Sequence, residues 1–281
     1  IFISCLLAGL AVAQAQHLAS SPGWDPKAAA GYMDGRQSWW LTWPNAARDH
    51  DTACVSCHTA LPYALARPAL RGPLAEHEAS APERKMLEQV TKRVRLWKEV
   101  EPFYPDQTRG LPKTSESRGT EAILNAAVLS ARDASLGTLS DDLRQAFDNL
   151  WALQFKAGEQ AGGWAWLNFH NEPWEAPGSQ YFGNSLAAIA LGMAPGGYAA
   201  LPANQDRVKA LATSLGGGVD KADLLNRAMI LWASSKIPGV LTPEQSRQIV
   251  EALVAKQQAD GGWNAASLAG DWKRNDSTPF E

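Results

Sequence analysis

The chain has 281 residues, a formal net charge of -3 and a pI near 6.0, with 45% apolar residues, 12 Trp and 3 Cys. It has no Lys/Arg run and no basic stripe, so it does not read as a nucleic-acid binder. After the first dozen residues no apolar run approaches the roughly 20 residues of a membrane-spanning helix, and no transmembrane span is expected.

The chain opens IFISCLLAGLAVAQAQ, almost entirely apolar from Ile1 to Val12. Ala11-Val12-Ala13 and Ala13-Gln14-Ala15 both fit small-x-small cleavage, so residues 1-15 are read as a secretory signal peptide. A buried N-terminal helix is the alternative. Cys5 lies inside the apolar run, which argues against a lipid-anchored cysteine, and cleavage would remove it. The chain lacks an initiator Met and a basic leading segment, so the coding sequence is expected to begin upstream. The expected location is periplasmic or secreted, in a bacterium.

Residues 16-110 form the next expected unit. Its Trp-, Pro- and Gly-rich first part contains Cys54-Val55-Ser56-Cys57-His58. In an oxidising compartment two cysteines ordinarily join, but a ring across two residues adds little stability. Zinc needs three or four ligands, and His17, His50, His77 and His170 offer no second pair. A thioredoxin-like dithiol expects a βαβ setting that is absent. The C-x-x-C-H string is the covalent haem c signature. Two thiols a short turn apart reach the two porphyrin vinyl groups, and the adjacent imidazole takes the iron. Cys54 and Cys57 are therefore expected to attach one haem c, with His58 as proximal ligand; a disulfide and a redox dithiol stand as alternatives. Candidates for the sixth ligand are Met33, Met86 and His77, with His50 close in sequence to the motif and Met86 placed as a core residue would be. Trp39, Trp40, Trp43, Tyr63 and Leu65 are candidate haem walls. A basic helix is expected from Pro82 to Val100, with Lys85, Lys92, Arg93, Arg95 and Lys98 as a solvated face, or a docking face for an acidic redox partner protein.

Residues 111-281 read as helix after helix. Arg118–Asp133 has the apolar spacing of one buried face. Ser140 caps a helix expected over Asp141–Ala157, another starts near Gly178 and stops at Pro195-Gly196, and Asn204 and Asp220 open two more. Thr242-Pro243-Glu244-Gln245 is a capping box with Pro at the first helical position. The fold class is all-α. Two stretches match: NLWALQFKAGEQAGGWAW from Asn149 and ALVAKQQADGGWNAA from Ala252. Each has a Gln at a helix end, a polar turn and Gly-Gly-Trp, and a repeat of this kind implies stacked helical hairpins of about 50 residues.

These strings resemble the QW motifs of the squalene-hopene cyclase and terpene cyclase family, which shares its α/α toroid with protein prenyltransferases. Gln257 to Trp263 is a close match, Gln154 to Trp164 a looser one, and the resemblance covers about 115-281. It implies an incomplete α/α toroid following the small haem-binding region. It also implies inner helices around an apolar cavity, approached by Tyr181, Phe182, Asn184, Asn226 and Trp232, which are hairpin core otherwise. The family's Asp-x-Asp-Asp acid is missing: Asp141-Asp142 is a helix start, and Asp271 and Asp276 stand alone. No catalytic residue is assigned. The chain stops in the loop NDSTPFE, and further repeats are expected beyond it.

The expected function is a secreted c-type haem protein in electron transfer or another redox role, whose helical domain binds an apolar ligand or a partner. The alternatives are an isoprenoid cyclase with its acid elsewhere and a non-catalytic helical-repeat binding protein. The loop His170–Pro177, with Glu172, Trp174 and Glu175, reads as an exposed turn, or else as a site near the toroid mouth.

Overall fold

A computed structural model describes residues 23–269 and Trp272. The expected signal segment 1-15 with Cys5, and also His17, Asp271 and Asp276, lie outside the described residues. The chain is all-α, with 63% helix and 2% strand. The first region contains α1 (Pro26–Thr42), the two-residue strands β1 (Ala47–Arg48) and β2 (Thr52–Ala53), α2 (Ala60–Ala66), α3 (Arg71–Leu74), α4 (Ala81–Arg95) and α5 (Asp106–Arg109). The array follows as α6 (Lys113–Leu136), α7 (Asp141–Ala152), α8 (Gln180–Met193), α9 (Gln205–Gly218), α10 (Leu224–Ser234), α11 (Pro243–Val254) and α12 (Ala265–Leu268).

Burial marks α6 and α8 as inner helices. On α6 every residue from Gly119 to Ala131 is buried, and on α8 every residue from Phe182 to Leu191. Helices apolar all round must sit inside. On α7 the buried set is Leu143, Ala146, Phe147, Leu150 and Trp151, a single stripe at helical spacing. Accordingly α6, α8 and α10 pack side by side, and α7, α9 and α11 lie on them in turn, making three hairpins among the described residues.

The helix boundaries follow local chemistry. Ser140 accepts from Leu143 N, and Thr242 and Gln245 form the expected capping box. Asp220 does not open α10. It lies in the 3-10 turn Val219–Lys221, and Asp223, accepting from Asn226 N, is the cap. The basic helix ends at Arg95, and one of its cations is not solvated. Arg93 is fully buried, Lys92 is half-buried and Lys98 lies beyond the helix, so of the five expected cations Lys85 and Arg95 are the ones exposed on it.

The two matching stretches fold alike. Gln154 Nε2 donates to Gly162 O at 2.8 Å, and Trp164 Nε1 folds back to Leu150 O at 2.7 Å. In the second, Gln257 Nε2 donates to Gly261 O at 2.6 Å and Trp263 Nε1 to Leu253 O at 2.7 Å. Gly162 and Gly261 both take positive φ, +90° and +86°, which only glycine adopts freely.

One neighbour distinguishes the two glycines. A Cβ on Gly162 would lie 2.3 Å from Ala210 O, whereas Gly261 has only the Gln257 amide at 4.0 Å. Gly261→Ala should cost about 1–2 kcal/mol, the backbone strain alone. Gly162→Ala should add the clash and cost about 3 kcal/mol or more. Urea unfolding of the two variants beside wild type checks the order, and equal losses would contradict it.

Candidate haem-attachment site

The motif follows β2 and leads into α2. Cys54 N donates to Ala46 O at 2.8 Å, and Trp40 Nε1 of α1 donates to Cys54 O at 2.7 Å. Ser56 organises the rest: its Oγ accepts from His58 N at 3.2 Å and Thr59 N at 3.0 Å, and its carbonyl accepts from Leu61 N. The short turn holds both cysteines inward and turns the histidine out. Cys54 and Cys57 are buried and not joined to each other. His58 is exposed on one side.

The other side of His58 is packed. Its ring meets Trp40 edge-on at 6.3 Å and Trp174 at 5.7 Å. Desolvation there pulls its pKa below the usual histidine value, so the imidazole is neutral at neutral pH and can offer a lone pair. Nδ1 lies 3.2 Å from Ser56 Oγ. That oxygen already accepts two backbone N–H groups, so it offers Nδ1 its hydroxyl proton. Ligation of iron through Nε2 would call for the other tautomer, and Ser56 Oγ could accept Nδ1–H only if one of the two backbone N–H groups released it.

Burial also raises both thiols. It lifts Cys54 to about 12, and Cys57 well up, with the charge of Glu175 adding to the rise. A redox dithiol needs the opposite, a thiolate near neutral pH. Among the described residues no group of three or more His, Cys, Asp or Glu is arranged to hold a metal ion. A porphyrin brings four nitrogens and would ask the protein for only one or two donors. Unpaired thiols behind a neutral, outward imidazole are the donor set that covalent haem requires.

A cavity of about 270 Å³ opens beside His58, lined by Tyr32, Met33 and Arg36 of α1 and by Thr59, Pro62 and Tyr63. Met33 is the sixth-ligand candidate that shares this space. Met86 is buried in the core on α4, 3% exposed. His77 is exposed in the loop after α3, and His50 pairs with Asp49 Oδ2 at 3.0 Å. Tyr32, 71% exposed, forms a rim free to yield to a larger group. Of the expected haem walls, Trp40 and Tyr63 are buried, while Trp39 is exposed and stacks on Trp43 instead.

The loop His170–Pro177 is not the exposed turn expected of it. Pro173 and Ala176 are buried, Trp174 packs on His58, and Trp166 Nε1 pins the loop by donating to Trp174 O at 2.6 Å. Desolvation raises the pKa of Glu175, with Lys113 opposing. Its charge registers on both thiols and on Tyr104. No local pattern marks this loop as a neighbour of residues more than a hundred positions earlier. Its density of His, Trp and carboxylates is the only sequence signal. Of the residues expected at a toroid cavity, Tyr181 and Asn184 line a polar pocket of about 300 Å³ with Thr213, Ser214 and Lys221. Phe182 and Asn226 are buried, and Trp232 is 39% exposed.

Compared with protein-family models, curated proteins and solved structures, the chain matches none significantly. No helix among the described residues is long and apolar enough to cross a membrane.

The floor of the site is held by charge. Arg67 is 1% exposed and bonds Asp34 and Glu76; Asp34 Oδ1 also accepts from Tyr63 OH at 2.7 Å and Ser80 Oγ at 3.0 Å. Partial burial works against the Asp34 carboxylate, but these bonds prevail and hold its pKa below the usual value. A lowered carboxyl pKa stabilises the fold above the ordinary value of about 3.9, and that contribution disappears as pH falls through the lower folded value. Asp34→Asn should therefore cost about 1–3 kcal/mol at neutral pH. The gap to wild type should narrow toward pH 3 in urea unfolding, and a gap independent of pH would contradict the assignment.

Proposed function

We propose that this chain is a c-type haem protein that exchanges electrons with a redox partner protein, one haem being attached through Cys54 and Cys57 with His58 as the proximal ligand. The observation that carries the reading is the pairing of two buried, unjoined thiols with an adjacent neutral imidazole that faces a cavity. When bound, haem supplies one-electron chemistry at iron. Ser56 orients the imidazole, and Trp40 and Trp174 exclude water from its packed side. Arg36, on the cavity wall, would supply the cation for a propionate carboxylate. Met33, in the same cavity, is the proposed sixth ligand.

The helical array supports a second element of the reading. Its paired Gln–Gly-Gly-Trp turns and its inner and outer helices fit a squalene-cyclase-like α/α repeat. We propose that it serves as a binding scaffold for an apolar ligand or partner. The family's protonating motif is absent from the sequence, so no cyclase step is assigned. The signal-like leader and the haem motif together favour a periplasmic or secreted setting.

Expression with a haem-attachment system should give a coloured protein whose pigment resists acidified acetone and gives a c-type pyridine haemochrome. The double variant Cys54→Ser/Cys57→Ser should release its pigment. Met33→Ala should keep the haem but shift its absorption from six-coordinate low-spin to high-spin. Colourless wild-type protein would overturn the proposal, and an unchanged Met33→Ala spectrum would remove Met33 from it.

A further inference from the structure

The polar pocket beside Tyr181 and Asn184 has no part in the haem reading, and none of the residues assigned to haem lines it. Its volume is about 300 Å³, about the share of ten waters and within the range of small-molecule sites. It lies between the first Gln–Gly-Gly-Trp turn, the start of α8 and the end of α9. Asn184 is 5% exposed. Its Oδ1 accepts from Trp164 N at 3.0 Å, which sets the orientation of the amide. Its Nδ2 has no hydrogen-bond partner among the described residues, so the partner must come from whatever fills the cavity.

Two glycines make room for these side chains. A Cβ on Gly163 would collide with Asn184 Nδ2, and one on Gly218 with the Tyr181 ring. The Tyr181 hydroxyl likewise has no hydrogen-bond partner among the described residues. Burial raises its pKa, so it stays a neutral O–H donor. Two charges of opposite sign complete the wall, Glu159 from the turn and Lys221 from the 3-10 turn Val219–Lys221 after α9. Among the described residues neither belongs to an ion pair, with the other or with any third group.

We propose that this pocket binds a small free amino acid, its carboxylate taken by Lys221 and the Asn184 amide and its ammonium by Glu159. Donors outnumber acceptors on the wall: Asn184 Nδ2, the Tyr181 hydroxyl and the Lys221 ammonium all offer hydrogen, which suits a carboxylate. The one acid, Glu159, suits one ammonium. A dicarboxylate would set a like charge against Glu159, and a neutral sugar would leave Lys221 without a counter-charge. The proposal rests on neither the haem assignment nor the apolar-ligand reading of the array.

The whole chain is melted with each of the common L-amino acids at about 10 mM, and with glucose and succinate, since a ligand of the folded state raises its stability. At least one amino acid should raise the Tm by about 2 °C or more. Its primary amide and its N-acetyl form, each lacking one charge, should not. In calorimetry, Lys221→Met and Asn184→Asp should each weaken binding of that amino acid about tenfold or more, as loss of a charge-assisted hydrogen bond does. Lys221 is exposed, so Lys221→Met should melt like wild type without ligand and separate lost binding from lost folding. Asn184→Asp keeps an oxygen for Trp164 N. No shift from any amino acid overturns the proposal. So does a shift from glucose or succinate alone, an equal response to the amide form, or binding that Lys221→Met leaves unchanged.

Discussion

The arrangement depends on one buried guanidinium. Arg93 of α4 has no solvent exposure, and its nitrogens reach four groups. Nε donates to Glu121 of α6 at 2.6 Å, Nη1 to Thr52 Oγ1 at 2.8 Å and Asp49 Oδ1 at 3.1 Å, and Nη2 to Glu101 O at 2.7 Å. Thr52 is two residues before Cys54. A single side chain therefore fixes the strand pair that carries the motif to the innermost helix of the array. Breaking a buried pair of this kind typically costs about 3–5 kcal/mol, because the remaining charge stays buried without its partner. Glu121 has a raised pKa, driven by its burial against the attraction of Arg93.

That constraint explains why the two regions separated in the sequence do not form separate cores. One contiguous cluster of buried residues runs from Trp40, Cys54 and Cys57 through Leu124 and Phe147 to Ile249. The region before α6 is short for a domain with its own core. It gains one by lying on α6 and α7. The array returns the contact through Trp174, so His58 sits between an indole of α1 and an indole from the α7–α8 connection.

The sequence carried the helices, their caps and the paired turns, because each depends on residues within a few positions of one another. Thr242 and Gln245 satisfy each other's backbone, and Ser140 needs only Leu143. The motif was legible for the same reason: Cys54, Cys57 and His58 act within one turn. Three features were not. Arg93 looked like its solvated neighbours, since helical spacing alone does not single out the one cation that meets a buried acid 28 residues on. Asp220 and Asp223 are both plausible caps, and the choice between them rests on a 3-10 turn that packs Val219 and Ala222 inward. Trp174 becomes a neighbour of His58 only because α6 and α8 pack side by side and carry the intervening loop back over the first region.

The same logic separates Met33 from the other sulfur and imidazole donors. Met86 sits on an amphipathic helix whose apolar face is already used by the core, and a buried thioether there contributes packing. His77 lies in the loop that the Arg67–Glu76 ion pair fixes at the C-terminal end of α2. Met33 belongs to α1, the helix that also presents Trp40 to His58, one residue before the Asp34 that bonds Tyr63 of α2 and Arg67 just after it. Met33, Arg36 and Trp40 are three and four residues apart and share a face of α1, and the clamp at Asp34 holds that helix beside the cavity that His58 lines. The position of the sixth-ligand candidate therefore follows from the ion pairs beneath the site, which are established without reference to any bound group.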